Sequence, residues 1–152
     1  MTGDRRAMEV ALQMAREAGN AGEIPVGAVL MKGETVIARE GNRTIRDQDP
    51  TAHAEMLVLR QAASRLSRRE MQACTLYSTL EPCPMCAGAA VIARIGRVVY
   101  GAFDPQAGCA GSVYNLIEDP TFTNSARCEG GLMEAQCREL LDSFFSRHRG
   151  GT

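Results

Sequence analysis

The sequence predicts an α/β protein, in which helices pack against a layered β-sheet. Two kinds of segment alternate along its 152 residues. In one kind, apolar residues recur every three or four positions, as on the buried face of a helix; the other kind is a short run of β-branched, aromatic and other apolar residues. Strands that alternate with helices indicate a layered sheet. We predict helices over residues 4–18, 52–66, 84–93 and 132–146, and strands over residues 28–31, 36–39, 74–79 and 97–101.

The first part of the chain is predicted to be a helix followed by a hairpin. Met8, Leu12 and Ala15 fall on one face of the first helix, which ends near Gly19. Two short apolar strands follow, and the Lys-Gly-Glu-Thr turn at residues 32–35 joins them into a hairpin. A polar loop then leads to the second helix.

Breaks in the pattern set the boundaries of the later elements. The third strand stops at Pro82, and Pro84 suits the first position of the third helix because a proline there loses no intrahelical hydrogen bond. The chain from about residue 104 to residue 127 begins with many turn-forming residues and is expected to be irregular. The last helix carries Leu140 and Phe144 on its apolar side.

Length and composition indicate one domain, residues 1–152, of an ordinary globular type. The apolar content is 45% and the charged content is 23%, both typical of globular proteins, and 152 residues can bury a substantial core. No apolar run is long enough to cross a bilayer, so we expect no membrane partner. The N-terminal residues lack the features of a secretory signal, so we expect a cytoplasmic protein.

The six cysteines bear on the redox compartment, and the net charge of −1 bears on polyanionic partners. A domain of this size needs no disulfides, so a reduced compartment with two cysteines on a metal is the better account. The near-neutral charge excludes a global basic field that would attract polyanions. We expect the remaining cysteines to be small buried apolar residues. These are Cys74, Cys109, Cys128 and Cys137.

Two short motifs carry the chemistry, a His-Ala-Glu sequence at residues 53–55 and a Pro-Cys-Pro-Met-Cys sequence at residues 82–86. Cys83 and Cys86 are three positions apart, which places both sulfurs on one face at the start of a helix. The positive end of that helix stabilises the thiolate, which is the form that binds metal. An H-x-E motif together with P-C-x-x-C is the general signature of zinc-dependent base deaminases.

These residues suit a catalytic zinc site. His53, Cys83 and Cys86 supply three ligands, whose two negative charges balance Zn²⁺ and leave a tetrahedral position open for water. Zinc lowers the pKa of its bound water from about 16 toward about 7. Glu55 would take a proton from that water and deliver it to a ring nitrogen and then to departing ammonia.

The position of Glu55 sets a condition on the backbone. Glu55 follows His53 by two positions, and on a regular helix these side chains would diverge. The proton-transfer role therefore requires a non-helical His53 or a loose first turn. Glu81, beside Pro82, is interpreted as support for the helix terminus or for a metal ligand.

Other interpretations of the same residues stay open. A single histidine at a helix start commonly caps the helix or packs in the core, and a lone C-x-x-C pair forms a redox site or half of a four-ligand structural site. A fourth ligand, from His148 or a spare cysteine, would make the site a structural zinc module. Glu55 argues against a structural zinc module without catalysis, because a closed structural site has no use for an unliganded carboxylate.

The chain also resembles the cytidine deaminase-like superfamily, and within it the bacterial tRNA adenosine deaminases. The resemblance covers nearly the whole chain. Its longest stretch is residues 76–89, which includes both cysteines of the second motif. The other matching stretches are residues 24–29, 41–43, 49–55, 94–95, 98–102, 110–112 and 142–145.

The resemblance implies a three-layer α/β/α sandwich with a five-stranded mixed sheet, one zinc ion per chain and a homodimer. It also implies hydrolysis of the anticodon wobble adenosine of tRNA to inosine. By position, Asn42 would hydrogen-bond the target base, Ala54 would offer a backbone contact and Val26 would line the base pocket. Asp104 would contact the anticodon loop, and Phe145 would lie near the flipped nucleotide.

The near-neutral charge and an altered later loop favour a second hypothesis, a small-molecule deaminase acting on a free nucleobase or nucleoside of the guanine, adenine or cytosine type. Three positions depart from the family pattern, the first being the tail, where glycine follows Arg147-His148-Arg149 in place of a longer basic extension. Gln106 stands where the family has a lysine, and Thr123 and Asn124 stand where it has Asn-His. Loss of phosphate contacts lowers the affinity for nucleic acid. The candidate phosphate contacts for an RNA substrate are Arg43, Arg46 and Arg94.

Overall fold

The computed structural model describes residues 3–122 and 126–149. Within these residues the chain forms five helices and five strands. In chain order they are α1 (Gly3–Asn20), β1 (Gly27–Lys32), β2 (Thr35–Gly41), α2 (Ala54–Ala63), α3 (Arg68–Gln72), β3 (Cys74–Leu80), α4 (Pro84–Ile92), β4 (Arg97–Ala102), β5 (Arg127–Glu129) and α5 (Glu134–Arg149). None of the helices in the described part of the chain combines the length and the apolar character needed to span a membrane.

The five strands form one mixed sheet in the order β2-β1-β3-β4-β5. β1 is antiparallel to β2 and β3, whereas β3, β4 and β5 run parallel to one another. Leu76 on β3 pairs with Leu30 on β1, and the next pair, Tyr77 with Val29, faces the opposite side of the sheet. All four side chains are buried, so the centre of the sheet is covered on both faces.

The helices cover the sheet in two layers. α1 and α5 pack against each other on one face, and α2 and α4 pack against each other on the other. Met8 and Leu12, which the sequence placed on the apolar side of the first helix, are among the largest fully buried side chains. The α/β class and the three-layer α/β/α sandwich with a five-stranded mixed sheet are therefore confirmed.

Periodicity did not predict α3 and β5, because both are too short to show a repeat. α3 has five residues, and a capping box stabilises it: the Ser67 hydroxyl accepts from the Glu70 N–H while the Glu70 carboxylate accepts from the Ser67 N–H. β5 has three residues and pairs with β4. The β5 strand is specified by this long-range pairing, which no local pattern in the sequence shows.

Two helix boundaries differ from the prediction for a local reason. The second helix begins at Ala54 instead of residue 52, because His53 has an extended backbone (φ −70°, ψ 149°). The last helix begins at Glu134 instead of residue 132, because Met133 has a left-handed φ of 53°. It continues to Arg149, three residues beyond the predicted end.

Gly27, at the start of β1, allows α1 to approach the sheet closely. A Cβ atom at this position would lie 2.0 Å from the carbonyl oxygen of Ala11 and 2.5 Å from the backbone nitrogen of Ala15. Backbone atoms of a helix cannot move aside as a flexible side chain can. Gly27 therefore allows the close packing of α1 against β1, the strand that directly follows Val26.

We expect Gly27→Ala to lower the free energy of unfolding by about 3 kcal/mol or more, because the added methyl group overlaps the backbone of α1. Gly3→Ala is the control, since a Cβ atom at Gly3, at the exposed start of α1, would have nothing within 4 Å. That control should gain up to about 1 kcal/mol from helix propensity. Urea unfolding of both variants measures the difference, and equal stabilities would contradict the close approach.

Candidate active site

Two helix N-termini bring His53, Cys83 and Cys86 together. His53 and Cys83 each precede a helix and have extended backbones, whereas Cys86 lies in the first turn of α4. Nδ1 of His53 lies 3.6 Å from Sγ of Cys83 and 3.5 Å from Sγ of Cys86. One ligand atom from each of the three residues lies within 4.8 Å of the others. The structure thus assembles the three-residue set that the sequence predicted.

The local sequence explains why these ligands converge. β3 ends at Leu80, and Pro82 and Pro84 prevent the chain from continuing as a regular strand or starting the helix earlier. Pro84 occupies the first turn of α4, where the missing N–H costs no hydrogen bond. The N-termini of α2 and α4 both point their positive ends at the cluster, which favours anionic sulfur.

The electrostatics of the cluster prepare one thiolate. The pKa of the Cys83 thiol is lowered to about 4, because hydrogen bonds from the Cys86 thiol and then from His53 stabilise its anion. The pKa of Cys86 is raised, because its thiol donates to Cys83 and is buried. A metal cation that binds here displaces the proton that the two sulfurs share.

Within residues 3–122 and 126–149, the metal-binding group consists of these three side chains and contains no fourth ligand. His148 is engaged in α5, where its Nδ1 lies 2.8 Å from the Phe144 carbonyl oxygen and its ring stacks on the Phe144 ring at 4.0 Å. Of the other four cysteines, Cys128 is half-buried, and the rest are buried. All four are free thiols. The expected burial is confirmed for Cys74, Cys109 and Cys137 but is wrong for Cys128, whose thiol donates to the Ala110 carbonyl oxygen at 3.4 Å.

Glu55 lies beside the ligand cluster in the first turn of α2. Its side chain is 3% exposed, and its Oε1 atom is buried without a hydrogen-bond partner among the described protein atoms. Burial raises the pKa of the Glu55 carboxyl to about 7. The extended backbone of His53 meets the condition that the sequence imposed, because it lets the imidazole and the carboxylate turn toward the same space.

The residues present fit a catalytic zinc ion. Two sulfurs and one imidazole nitrogen are ligands that Zn²⁺ prefers, and three protein ligands are the number found in catalytic zinc sites. A buried oxygen without a partner is costly, so the unpaired Oε1 of Glu55 fits a carboxylate that serves a reacting group rather than the fold. Zinc is therefore the cofactor that this site supports.

A cavity of about 220 Å³ opens at the cluster. Val26 and Asn42 form part of its wall and are nearly buried. The Asn42 amide is fixed at both ends: its Oδ1 accepts from the Ala54 N–H at 2.9 Å, and its Nδ2 donates to the Ile24 carbonyl oxygen at 3.2 Å. The Ala54 N–H is thus already bound within the protein. The lining residues are Ile24, Val26, Asn42, His53, Glu55, Leu80, Glu81, Cys83, Asp104 and Ala107.

A second cavity, of about 440 Å³, adjoins the first and shares Ile24, Leu80 and Asp104 with it. Phe145 lines this larger cavity with 45% of its surface exposed. Gln106, which replaces the lysine of the family pattern, also lines it. Phe145 is therefore placed beside the catalytic cavity rather than inside it. Thr123 and Asn124, a further departure, lie outside the described residues.

Glu81 fixes the loop that carries Asp104. Its buried carboxylate accepts from the N–H groups of Asp104 (3.0 Å), Ala110 (3.1 Å) and Ser112 (2.9 Å), and also from the Ser112 hydroxyl. Burial alone would raise the pKa of Glu81, but these hydrogen bonds outweigh it and hold the pKa below the ordinary value of 4.5. From the sequence, Glu81 is interpreted as support for the helix terminus or for a metal ligand. In the structure its hydrogen bonds go instead to the loop of residues 104–112, a role that depends on partners distant in the chain.

Glu23 fixes the loop that follows β2 by the same kind of hydrogen bonding. This residue was not identified from the sequence. Its carboxylate is fully buried and accepts from the backbone N–H groups of Ile45 (3.1 Å) and Arg46 (2.8 Å). These partners lie more than twenty residues along the chain, so no local pattern marks the residue. Glu23 holds the loop that follows Asn42, whose amide faces the cavity.

The fold and this site define a class of protein, the zinc-dependent deaminases, whose general signature combines H-x-E with P-C-x-x-C. Comparison with known families gives the same class. Residues 1–102 match the model of the cytidine and deoxycytidylate deaminase zinc-binding region. The chain belongs to this family.

Individual relatives identify a narrower group within this family. The tRNA-specific adenosine deaminase of Bacillus subtilis (strain 168) is 44% identical over 149 residues, which cover 98% of this chain and 92% of that protein. A solved structure from work on A-to-I editing by tRNA:A34 deaminases has a TM-score of 0.81 at 44% identity, covering 90% of this chain and 99% of that one. Within the family, the chain belongs with the tRNA-specific adenosine deaminases.

A more distant relative agrees in fold alone. The guanine deaminase from Nitrosomonas europaea has a TM-score of 0.81 but 22% identity, with 93% of this chain and 84% of that one covered. The same sandwich therefore supports more than one substrate, and the fold by itself does not identify the substrate.

Glu81→Gln is expected to lower the free energy of unfolding by about 2 kcal/mol, because an amide cannot accept from all the donors that surround the carboxylate. The folded-state pKa of Glu81 lies below its ordinary value of 4.5, so its contribution is present above that pH and is lost as the pH falls through the folded pKa. The stability difference from the wild type should therefore shrink below about pH 4. Urea unfolding at several pH values measures it.

Hydrogen exchange localises this effect to the loop. The amides of Ala110 and Ser112 should exchange at least about tenfold faster in Glu81→Gln than in the wild type. Glu34→Gln removes an exposed carboxylate from the β1–β2 turn and is the control. Unchanged exchange at Ala110 and Ser112 would show that Glu81 does not hold the loop.

Proposed function

We propose that this protein hydrolyses the wobble adenosine of a tRNA anticodon to inosine. One observation carries the proposal: the catalytic cavity adjoins a larger cavity, with which it shares the lining residues Ile24, Leu80 and Asp104. A base that is still attached to RNA can enter the small cavity while its neighbouring nucleotides occupy the larger one. Base-modifying enzymes require a flipped or single-stranded base, and an anticodon loop supplies one. The full-length likeness to tRNA-specific adenosine deaminases supports the same substrate.

The proposed mechanism assigns the metal site to His53, Cys83 and Cys86, with one zinc ion per chain. Zinc, when bound there, supplies Lewis acidity that lowers the pKa of a coordinated water. Glu55 accepts a proton from the attacking water, whose oxygen bonds to the carbon that carries the amino group. Glu55 passes this proton to the ring nitrogen. It then takes the second proton, from the hydroxyl now bonded to that carbon, and gives it to the amino group, so that a carbonyl forms, the carbon–nitrogen bond breaks and ammonia departs. Burial, which favours the neutral form of the Glu55 carboxyl, suits a group that both takes and returns a proton.

The proposed substrate contacts follow from the cavity walls. Val26 offers an apolar surface to the base. Asn42 keeps one N–H and one lone pair for the base, because its other amide groups are bound to Ile24 and Ala54. The contact by Ala54 is therefore indirect, through the orientation that its N–H gives to Asn42. This refines the role that family resemblance implied for Ala54.

Asp104 and Phe145 would receive the nucleotides around the target base. One carboxylate oxygen of Asp104 accepts from the N–H groups of Gln106 and Ala107, which leaves the other oxygen for the anticodon loop. Phe145 presents an exposed ring to the larger cavity, where a base can stack on it. Glu81 and Glu23 hold the two loops that form this entrance.

The second candidate is a deaminase of free nucleobases or nucleosides. It is favoured by Gln106 in the larger cavity, where the family pattern has a phosphate-contacting lysine. A deamination screen that compares an anticodon stem-loop with free purines and pyrimidines decides between the two. Turnover of a free base together with an inert stem-loop would replace the tRNA proposal by the small-molecule one.

We expect Glu55→Ala to abolish ammonia release while the protein keeps its zinc, because Glu55 is not among the metal ligands. The loss should be at least about 10³-fold, as for removal of a proton-transferring group. Glu55→Gln keeps the shape of the side chain and is the matched variant. Zinc content is measured by elemental analysis and turnover by inosine formation in the stem-loop. Activity retained in both variants would refute the proton-transfer role.

We also propose that the protein is cytoplasmic and forms a homodimer. Six free thiols suit a reducing compartment. On α4, Met85, Gly88 and Ala89 form a partly exposed apolar stripe with Ile92, whose side chain is 76% exposed. An apolar helix face of this kind suits burial against a second copy of the chain. It lies on the helix that carries Cys83 and Cys86, so a partner there would stand next to the metal site.

Ile92→Arg should convert the dimer to a monomer, because it places a charge on the most exposed apolar residue of the stripe. Val36→Arg introduces the same charge on another exposed apolar position, in β2, and should leave the dimer intact. Sedimentation velocity of the zinc-loaded proteins distinguishes the two states. A dimer that persists in Ile92→Arg would show that α4 is not the interface.

A further inference from the structure

A cleft of about 280 Å³ lies between the C-terminal part of α1 and the outer face of α5. Every charged side chain that lines it is an arginine, namely Arg16 from α1 and Arg147 from α5. In the part of the chain that the structure describes, neither arginine forms an ion pair or a side-chain hydrogen bond. The lining residues are Arg16, Gly19, Asn20, Pro25, Leu140, Ser143 and Arg147.

The composition of the cleft favours an anion. Two like charges that share a concave surface repel each other. An anion bound between them is attracted by both and offsets this repulsion. The planar guanidinium groups present paired N–H donors that match the geometry of a phosphate. Asn20 and Ser143 add an amide and a hydroxyl donor to the same wall.

Two of the arginines expected from the sequence to contact phosphate are not available in this way. Arg43 forms an ion pair with Asp47 at 3.1 Å, and Arg46 lies 3.5 Å from a carboxylate oxygen of Glu23. Their charges are already balanced, by Asp47 in the same loop after β2 and by Glu23 in the segment before β1. The cleft between α1 and α5 therefore offers an anion the positive charge that this loop does not.

The cleft and the two cavities are lined by neighbouring residues of the same two segments. Pro25 lines the cleft, and the preceding residue, Ile24, lines both the catalytic cavity and the larger one. Consecutive Cα atoms are about 3.8 Å apart. On α5, Leu140 faces the cleft and its neighbour Leu141 faces the larger cavity. A strand of RNA that leaves the larger cavity past these residues reaches the two arginines.

We propose that the cleft of Arg16 and Arg147 binds a backbone phosphate of the substrate RNA, close to the target nucleotide. The proposal rests on the proposed function for the nature of the substrate. Free inorganic phosphate has the same binding chemistry, so the test has to separate it from the phosphodiester of an RNA strand.

The first measurement is RNA binding by the zinc-loaded enzyme. In Arg16→Gln/Arg147→Gln, the Kd and KM for an anticodon stem-loop should rise about tenfold, while kcat at saturating RNA stays unchanged. The slope of log affinity against log salt concentration should become shallower by about 0.7 for each single-strand phosphate that the variant no longer neutralises. Arg6→Gln/Arg68→Gln removes the same charge from exposed sites on α1 and α3 and should leave both constants unchanged.

The second measurement identifies the phosphate. Stem-loops in which one phosphate at a time is replaced by an uncharged methylphosphonate should show one position that weakens binding to the wild type but not to the cleft variant. Equal losses in the two proteins at every position would overturn the proposal. So would stabilisation of the wild type by inorganic phosphate together with unchanged RNA binding in the cleft variant, because the cleft would then serve free anions.

Failure of the proposed function gives a different result. A wild-type enzyme that binds the stem-loop without deaminating it would refute adenosine deamination, and the methylphosphonate series would still decide whether the cleft contacts RNA.

Discussion

The structure depends on the convergence of two helix N-termini at the end of the central strand. α2 and α4 both begin where β3 ends, and the residue before each helix has an extended backbone. This geometry directs the imidazole of His53 and the thiolate of Cys83 toward one point from two segments that are 30 residues apart in the chain. Neither motif can form the site alone, so the ligand cluster exists only when the whole sandwich is folded around β3.

Two buried carboxylates extend this order from the metal ligands to the substrate cavities. Glu81 collects backbone N–H groups from the loop that contains Asp104, and Glu23 collects them from the loop that follows Asn42. Buried backbone N–H groups require hydrogen-bond partners, and irregular loops do not supply them as helices and sheets do. The two carboxylates provide these partners. The two loops can therefore be long and polar at the entrance while they remain fixed relative to the cluster.

Sequence reasoning succeeded where a signal is local. Helical spacing identified the apolar faces of α1 and α5, Pro84 marked the start of α4, and the two motifs predicted the three side chains that the structure brings together as a metal-binding group. It failed where the signal is distant in the chain. β5 is defined by its pairing with β4, and Glu23 is defined by partners more than twenty residues away. The two arginines of the cleft are 131 positions apart, so only the packing of α1 against α5 brings them together.

Asn42 joins three parts of the protein through a single amide group. It bridges the start of α2 and the segment before β1, and it also faces the catalytic cavity. A substitution of Asn42 would also release the first N–H of α2, the helix that carries Glu55. Under the proposed substrate contacts, selection for a new substrate at Asn42 therefore conflicts with retention of the metal-binding group. Val26 carries no such conflict, because its side chain lines the same cavity but is apolar and forms no hydrogen bond.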